Sequence, residues 1–321
     1  MKDIKWAVLG TGVIANEMAQ ALIKKGKSIY SVANRTHQKA VEFAKKYNID
    51  KVYEDMNDVF EDPEVDVVYI TTPHNTHYEF MIKAINNGKH ILVEKSITLN
   101  TSELSRVINL AEQKGVVVAE AMTIYHMPIY KKLWNIIKDG TLGKVQIITM
   151  NFGSFKEYDM KNRFFNLNLA GGAMLDIGVY ALSFIRWFMD SKPDKCASQT
   201  KSAPTGVDEQ VGLLLMNDEG QMASVMLSLH SKQPKRGMIS CEKGYIEIME
   251  YPRAWEAAIH YVESGETQKI TAGENADALV YELEDMERAI NGEHECMHLD
   301  YTWDVMDIMT GVRNFKYPEE M

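Results

Sequence analysis

The 321-residue chain carries 35 Lys and Arg against 45 Asp and Glu, a formal net charge of -10, with 45% hydrophobic residues. That balance excludes a nucleic-acid surface, which needs clustered cations, and the ordinary composition excludes a disordered or low-complexity chain. The length suits two domains; Cys196, Cys241 and Cys296 are too few and too scattered for a disulfide framework. No apolar run approaches the roughly 18 residues of a membrane span, and Met1-Lys2-Asp3 leads straight into apolar sequence without a signal peptide. A cytoplasmic protein with no membrane and no nucleic-acid partner is therefore expected.

The first apolar run, Ile4 to Leu9, reads as a buried strand, and Ile14, Met18 and Leu22 recur at helical spacing. Gly10-Thr-Gly-Val-Ile-Ala15 lies between them, at a strand-to-helix turn. A pyrophosphate binds at such a turn: one glycine makes it, one lets the backbone approach the phosphates, and a small third residue packs helix on strand. Gly10, Gly12, Val13, Ile14 and Ala15 are thus cofactor-binding candidates. Strands at Ser28 to Ala33, Val65 to Ile70, His90 to Glu94 and Val116 to Ala119 alternate with helices at Thr36 to Tyr47, at Thr76 to Asn87, and after the capping box of Asn100 and Glu103. Repeated alternation predicts a parallel sheet with helices on both faces, so residues 1–122 form a Rossmann-type domain.

From 123 to 321 the pattern changes to an α+β domain. A helix near Ile129 to Lys138 is followed by one at Asp176 to Phe188, and strands lie at Val145 to Phe152, Gln210 to Met216, Gln221 to Leu229, Met238 to Cys241, Tyr245 to Met249 and Ala257 to Val262. Consecutive strands with tight turns predict an open, mainly antiparallel sheet. One long helix precedes them to cover it, so the other face is expected to pair with a copy of itself in a homodimer. Helices at Asp277 to Ile290 and Tyr301 to Phe315 close the chain, all within this second domain.

Ligands of open parallel sheets bind at the carboxyl ends of the strands. After the second strand stand Asn34 and Arg35, where an NAD enzyme has a carboxylate for the ribose; the Arg35 fork suits a 2'-phosphate, favouring NADP with NAD possible. After the third come Thr71, Thr72, Pro73, His74, Asn75 and His77, read as cofactor-packing or hydrogen-bonding groups rather than metal ligands. After the fourth come Glu94 and Lys95, and an ammonium there can donate to a carbonyl oxygen as hydride arrives. Farther on, Gly171-Gly-Ala-Met-Leu-Asp-Ile-Gly-Val-Tyr180 puts Asp176 and Tyr180 on one helical face. Tyrosine can pass a proton and aspartate can hold substrate hydroxyls.

These motifs, in this order, resemble the glucose-fructose oxidoreductase, inositol dehydrogenase and MocA-type family. Glu120-Ala-Met ahead of Pro128, Gly140-Thr-Leu-Gly-Lys144, Tyr180 and Thr205-Gly-Val-Asp208 are most similar to its dimeric dihydrodiol dehydrogenase branch, which also oxidises D-xylose with NADP. The resemblance implies Lys95 and Tyr180 as the proton-transfer and polarising pair, Asp176 as substrate holder, and a dimer through the C-terminal sheet. Ser96 replaces the family's proline after the lysine, and Thr123 and Tyr125 replace Trp and Arg of the branch, implying a changed pocket. The expected function is hydride transfer between NADP and a secondary alcohol or carbonyl of a small sugar, polyol or dihydrodiol. A nicotinamide-sensing regulator and a nicotinamide-dependent glycosidase are the alternatives.

Overall fold

The computed structural model describes residues 4–316. It divides into two compact units: the chain up to Ala121 with Leu279–Leu299, and Met122–Ala278 with the chain from Asp300 onward.

The first unit holds the strands β1 (Trp6–Leu9), β2 (Ile29–Ala33), β3 (Lys51–Val52), β4 (Val67–Ile70), β5 (His90–Glu94) and β6 (Val118–Ala121). They pair in the order β3-β2-β1-β4-β5-β6, every pair parallel. This is the doubly wound order in which cofactors bind where the winding reverses, between β1 and β4. The central strands β1 and β4 are apolar and buried at every residue because both faces are covered. The crossovers carry α1 (Val13–Lys24), α2 (His37–Tyr47), α3 (Asp58–Glu61), α4 (His77–Asn86) and α5 (Thr101–Lys114). The α5 start uses both expected residues: Asn100 accepts from the Glu103 N–H at 2.9 Å, and the Glu103 carboxylate reaches back to the Leu99 N–H at 3.0 Å.

The helix Ala278–Ile290 and the turn after it differ from the expected division at residue 122. The sequence reading assigned them to the second domain because they follow its strands. Leu279, Leu283, Met286, Ala289 and Met297 instead share a core with Trp6, Val8, Met18 and Leu22 of the parallel sheet and α1. An apolar stripe at spacings of three and four seeks a sheet face wherever one is available, and neighbours in sequence do not decide which.

The second unit begins with α6 (Thr123–His126) and α7 (Pro128–Lys138), the latter opened by a proline in its first turn. Its strands are β7 (Val145–Gly153), β8 (Lys195–Ser202), β9 (Asp208–Met216), β10 (Met222–Ser228), β11 (Gln233–Cys241), β12 (Gly244–Met249), β13 (Glu256–Tyr261) and β14 (Thr267–Thr271). They form one sheet, β14-β13-β12-β11-β7-β10-β9-β8, antiparallel except for the parallel pair β7 and β10. The two edge strands were missed in the sequence because they are polar. No β8 residue is fully buried, and in β14 Ile270 alone is.

One face of this sheet is packed by α8 (Val179–Phe188), whose Phe184 ring sits where a side chain at Gly237 of β11 would be. The opposite face shows Ile147, Leu214, Met226, Tyr245 and Met249, each 37–53% exposed. The segment Leu167–Phe188 is apolar and long enough to cross a membrane, a point the sequence reading did not register, but 78% of its most apolar window is buried within the protein. That burial is the behaviour of a core helix.

Candidate active-site residues

The turn after β1 has the features a dinucleotide requires. Gly10 has φ +108°, and any Cβ there would stand 2.5 Å from Thr71 Oγ1 and 3.2 Å from the Thr71 carbonyl, so glycine is needed for both conformation and space. Gly12 has open space where a Cβ would be and caps α1 without any side-chain hydrogen bond. The N–H groups of Val13, Ile14 and Ala15 have no intrahelical acceptor by the geometry of a helix start, and the positive end of the helix dipole lies with them. Ala15 is fully buried, as the third small residue should be, whereas Val13 is 79% exposed. An exposed valine beside bare helix N–H groups is a surface that fits a ligand better than water. Arg35 is exposed and ion-pairs with no carboxylate among the described residues, while Asn34 turns its amide onto the Thr36 carbonyl at 3.0 Å. These residues fit the pyrophosphate of a dinucleotide.

The lysine after β5 is positioned through its backbone. His74 bonds by Nε2 to the Lys95 carbonyl at 3.0 Å, and His77 by Nδ1 to the Ser96 carbonyl at 3.0 Å. The Ile97 N–H donates to the buried Glu120 carboxylate at 3.0 Å. Three successive residues are thus held from three elements, and the Lys95–Ser96 peptide between them is cis. His77 is fully buried, its Nε2 also 2.8 Å from the Thr72 carbonyl. Burial lowers its pKa, with the Lys95 charge adding to the effect, against carbonyl contacts that favour a proton. Thr72 is fixed in turn by the Thr76 hydroxyl at 2.7 Å, Pro73 stands in extended conformation, and Asn75 is exposed. Glu94 accepts a short hydrogen bond from the Tyr69 hydroxyl. The histidines are therefore clamps on the Lys95 backbone. Glu120, which completes the clamp, was not singled out for this role from sequence because it lies 23 residues from its partner.

In the second unit Asp176 does not begin an α-helix. It lies within a π-helical segment, Met174–Gly178, that runs directly into α8. Such segments are rare and recur at functional sites. Asp176 is buried and its carboxylate takes a hydrogen bond from Arg163 Nη1 at 3.3 Å. Tyr180, half-buried at the start of α8, lies against the Phe152 ring with centroids 6.3 Å apart.

The segment is anchored by Asp208, which is 4% exposed and accepts the Met174 N–H at 2.6 Å. Asp208 also fills the space beside Gly172: with φ +123° there, a Cβ would fall 2.2 Å from Asp208 Oδ1. Gly171 is packed against the carbonyls of Arg163 and Phe164, each 2.7 Å from where a Cβ would stand. The paired glycines therefore let a buried carboxylate and a loop backbone close on the start of the segment that carries Asp176. Arg163 carried no signal in the sequence, and Asp208 figured there only within a motif.

Residues 4–122 match the profile described as "Oxidoreductase family, NAD-binding Rossmann fold", and residues 130–247 that of the GFO/IDH/MocA C-terminal domain. The chain belongs to the GFO/IDH/MocA oxidoreductase family. The resemblance read from the sequence holds, and this family member is an NAD(P)-dependent oxidoreductase whose first unit is the dinucleotide-binding domain. It is 30% identical over 272 residues to the trans-1,2-dihydrobenzene-1,2-diol dehydrogenase of Mus musculus, covering 83% of this chain and 79% of that one. With the enzyme of the same name from Bos taurus it shares 29% over 251 residues, 77% of this chain and 74% of that one.

Among solved structures the family member superposes on KijD10, a 3-ketoreductase from Actinomadura kijaniata in complex with NADP and TDP-benzene. The TM-score is 0.88 at 19% identity, over 98% of each chain. The UDP-N-acetylglucosamine 3-dehydrogenase GnnA from Acidithiobacillus ferrooxidans gives 0.83 at 19%, over 98% of this chain and 97% of that one. At such identity these two speak for the fold.

Proposed function

We propose that the protein is a cytoplasmic, NADP-dependent oxidoreductase acting on a secondary alcohol or carbonyl of a small sugar, polyol or dihydrodiol. The observation that carries the reading is the threefold backbone clamp that fixes a lysine just past the end of a Rossmann strand. A surface lysine has no need of two histidines and a buried glutamate around it. The dehydrogenase relatives near 30% identity support alcohol chemistry. The unpaired Arg35 and the lack of a carboxylate at residues 34–36 support NADP, as does the NADP bound to the similarly folded 3-ketoreductase. Three cysteines, none in a disulfide among the described residues, suit a reducing compartment.

Gly10, Gly12, Val13, Ile14 and Ala15 would hold the pyrophosphate, Asn34 and Arg35 the adenosine end, and residues 71–77 the remainder. The bound nicotinamide supplies or accepts hydride. Lys95 is assigned to donate a hydrogen bond to the reacting oxygen, and Tyr180 to take the hydroxyl proton in oxidation and return it in reduction. Asp176 accepts bonds from substrate hydroxyls and so orients them. Lys95→Met should lower kcat by about 1000-fold with a panel of sugars, polyols, dicarbonyls and dihydrodiols, while NADPH still binds with unchanged Kd. Turnover that survives the substitution overturns the assignment.

The same reading includes a homodimer through the open face of the second sheet, where Ile147, Leu214, Met226, Tyr245 and Met249 present apolar area. Light scattering at micromolar concentration should give twice the chain mass, falling to the chain mass in Met226→Lys. A monomeric wild type refutes the dimer.

A further inference from the structure

Residues 154–166 leave β7 and cross the second unit before the glycine pair. They are tied at several points. The Lys156 N–H donates to the Leu229 carbonyl at 2.7 Å, and the Lys156 carbonyl bonds to His230 Nδ1 at 2.9 Å. Tyr158 stacks on the His230 ring at 3.9 Å and bonds to the buried Glu209. The far end is pinned where the Gly172 N–H donates to the Phe164 carbonyl and the Gly171 N–H to the Asn166 side of the turn, each at 3.0 Å.

The tied segment brings two cations to one aromatic ring. Arg163 Cζ lies 4.3 Å and Lys156 Nζ 4.5 Å from the Phe164 centroid. Lys156 has no carboxylate partner among the described residues, and Arg163 has Asp176 alone, through one nitrogen at 3.3 Å. A guanidinium carries five N–H donors, so one such contact leaves most of its fork open. In a chain of net charge -10, two cations that share a ring and have Asp176 as their sole ion-pair partner among the described residues stand together beside that carboxylate.

We infer that Arg163 and Lys156 recognise an oxyanion, so that the substrate carries a carboxylate or a phosphate beside the hydroxyl held by Asp176. The inference rests on the assignment of Asp176 to the substrate. Arg163 binds the two oxygens through its free fork while keeping Asp176 in place, and Lys156 adds the second charge. Contact with the Phe164 ring restrains both side chains, which lowers the entropy lost on binding.

The test is calorimetric binding to the full-length protein with NADP present, using D-gluconate, D-glucose 6-phosphate and neutral D-sorbitol. One or both anions should bind about tenfold tighter than sorbitol at low salt, as expected for a charge-assisted pair of hydrogen bonds. The advantage should shrink in Arg163→Met and in Lys156→Met and with added sodium chloride; Arg163→Lys should fall between. Gluconate alone preferred identifies a carboxylate and glucose 6-phosphate alone a phosphate. Equal affinity for sorbitol, or an anion advantage untouched in Lys156→Met and Arg163→Lys, overturns the inference. Anion binding that depends on Arg163 without turnover of any compound would refute the oxidoreductase reading and leave this one standing. Turnover of neutral polyols without anion preference would do the reverse.

Discussion

The two units hold their candidate site residues by opposite means. In the parallel sheet the residues follow strand ends and the backbone itself is what is gripped: the Lys95 and Ser96 carbonyls by His74 and His77, the Ile97 N–H by Glu120. In the second unit Asp176 follows no strand directly in the chain; it lies on a π-helical segment whose place is set by the Asp208 carboxylate and by two glycines that let neighbours close in. Strand ends are fixed by the hydrogen-bond ladder and need only local trimming. The π-helical segment that carries Asp176 is held instead by a buried carboxylate, Asp208.

The comparison is sharpest at Asp208. Asp208→Ala leaves the Met174 N–H buried without its acceptor and opens the space beside Gly172. It should cost about 2–3 kcal/mol in chemical denaturation, and it should raise KM for substrate while the Kd for NADPH stays unchanged. A loss of cofactor affinity equal to that of substrate would break the distinction between the units. Arg35→Ala tests the other side. Its guanidinium is exposed and contributes nothing to folding that the contacts reveal, so stability should not change. The Kd for NADPH should rise about tenfold and that for NADH little, as for loss of one arginine–phosphate contact.

The smallest effect concerns pH. His77 is buried with its pKa below the ordinary value, and burial likewise lowers that of His90, whose Nδ1 accepts the Val117 N–H at 3.0 Å. In both rings the folded state disfavours the proton that the unfolded chain takes up below about pH 6.5. Their contribution to stability is complete above that pH and is lost as pH falls toward the folded values, at up to about 1 kcal/mol per pH unit for each ring. Urea midpoints measured from pH 8 to 5 should show this fall, reduced in His77→Asn.

The glycine turn was legible in the sequence because its demands are local: a positive φ at Gly10 and the approach of Thr71 admit no other residue. The strand that precedes Lys95 was legible for the same reason, as a short apolar run ending in polar residues. The partners of these residues were not. Glu120 lies 23 residues from Ile97 and Asp208 lies 34 from Met174, and no periodicity links positions that meet only after folding. The Asp176 helix was anticipated as an ordinary α-helix starting at that residue, whereas the extra residue per turn that defines its actual geometry leaves no mark in composition. Polar edge strands β8 and β14 lack the alternation that reveals a half-buried strand.

The helix Ala278–Ile290 gives the molecule a further property. Because the chain completes the nucleotide domain's core with Leu279, Leu283 and Met286 only after all fourteen strands have been synthesised, that domain is not a detachable cassette. A ribosome that has released residues 1–121 has made the whole parallel sheet but still lacks the apolar stripe that seals it. The nucleotide domain thus reaches its finished form only after the strands of the second unit have been made.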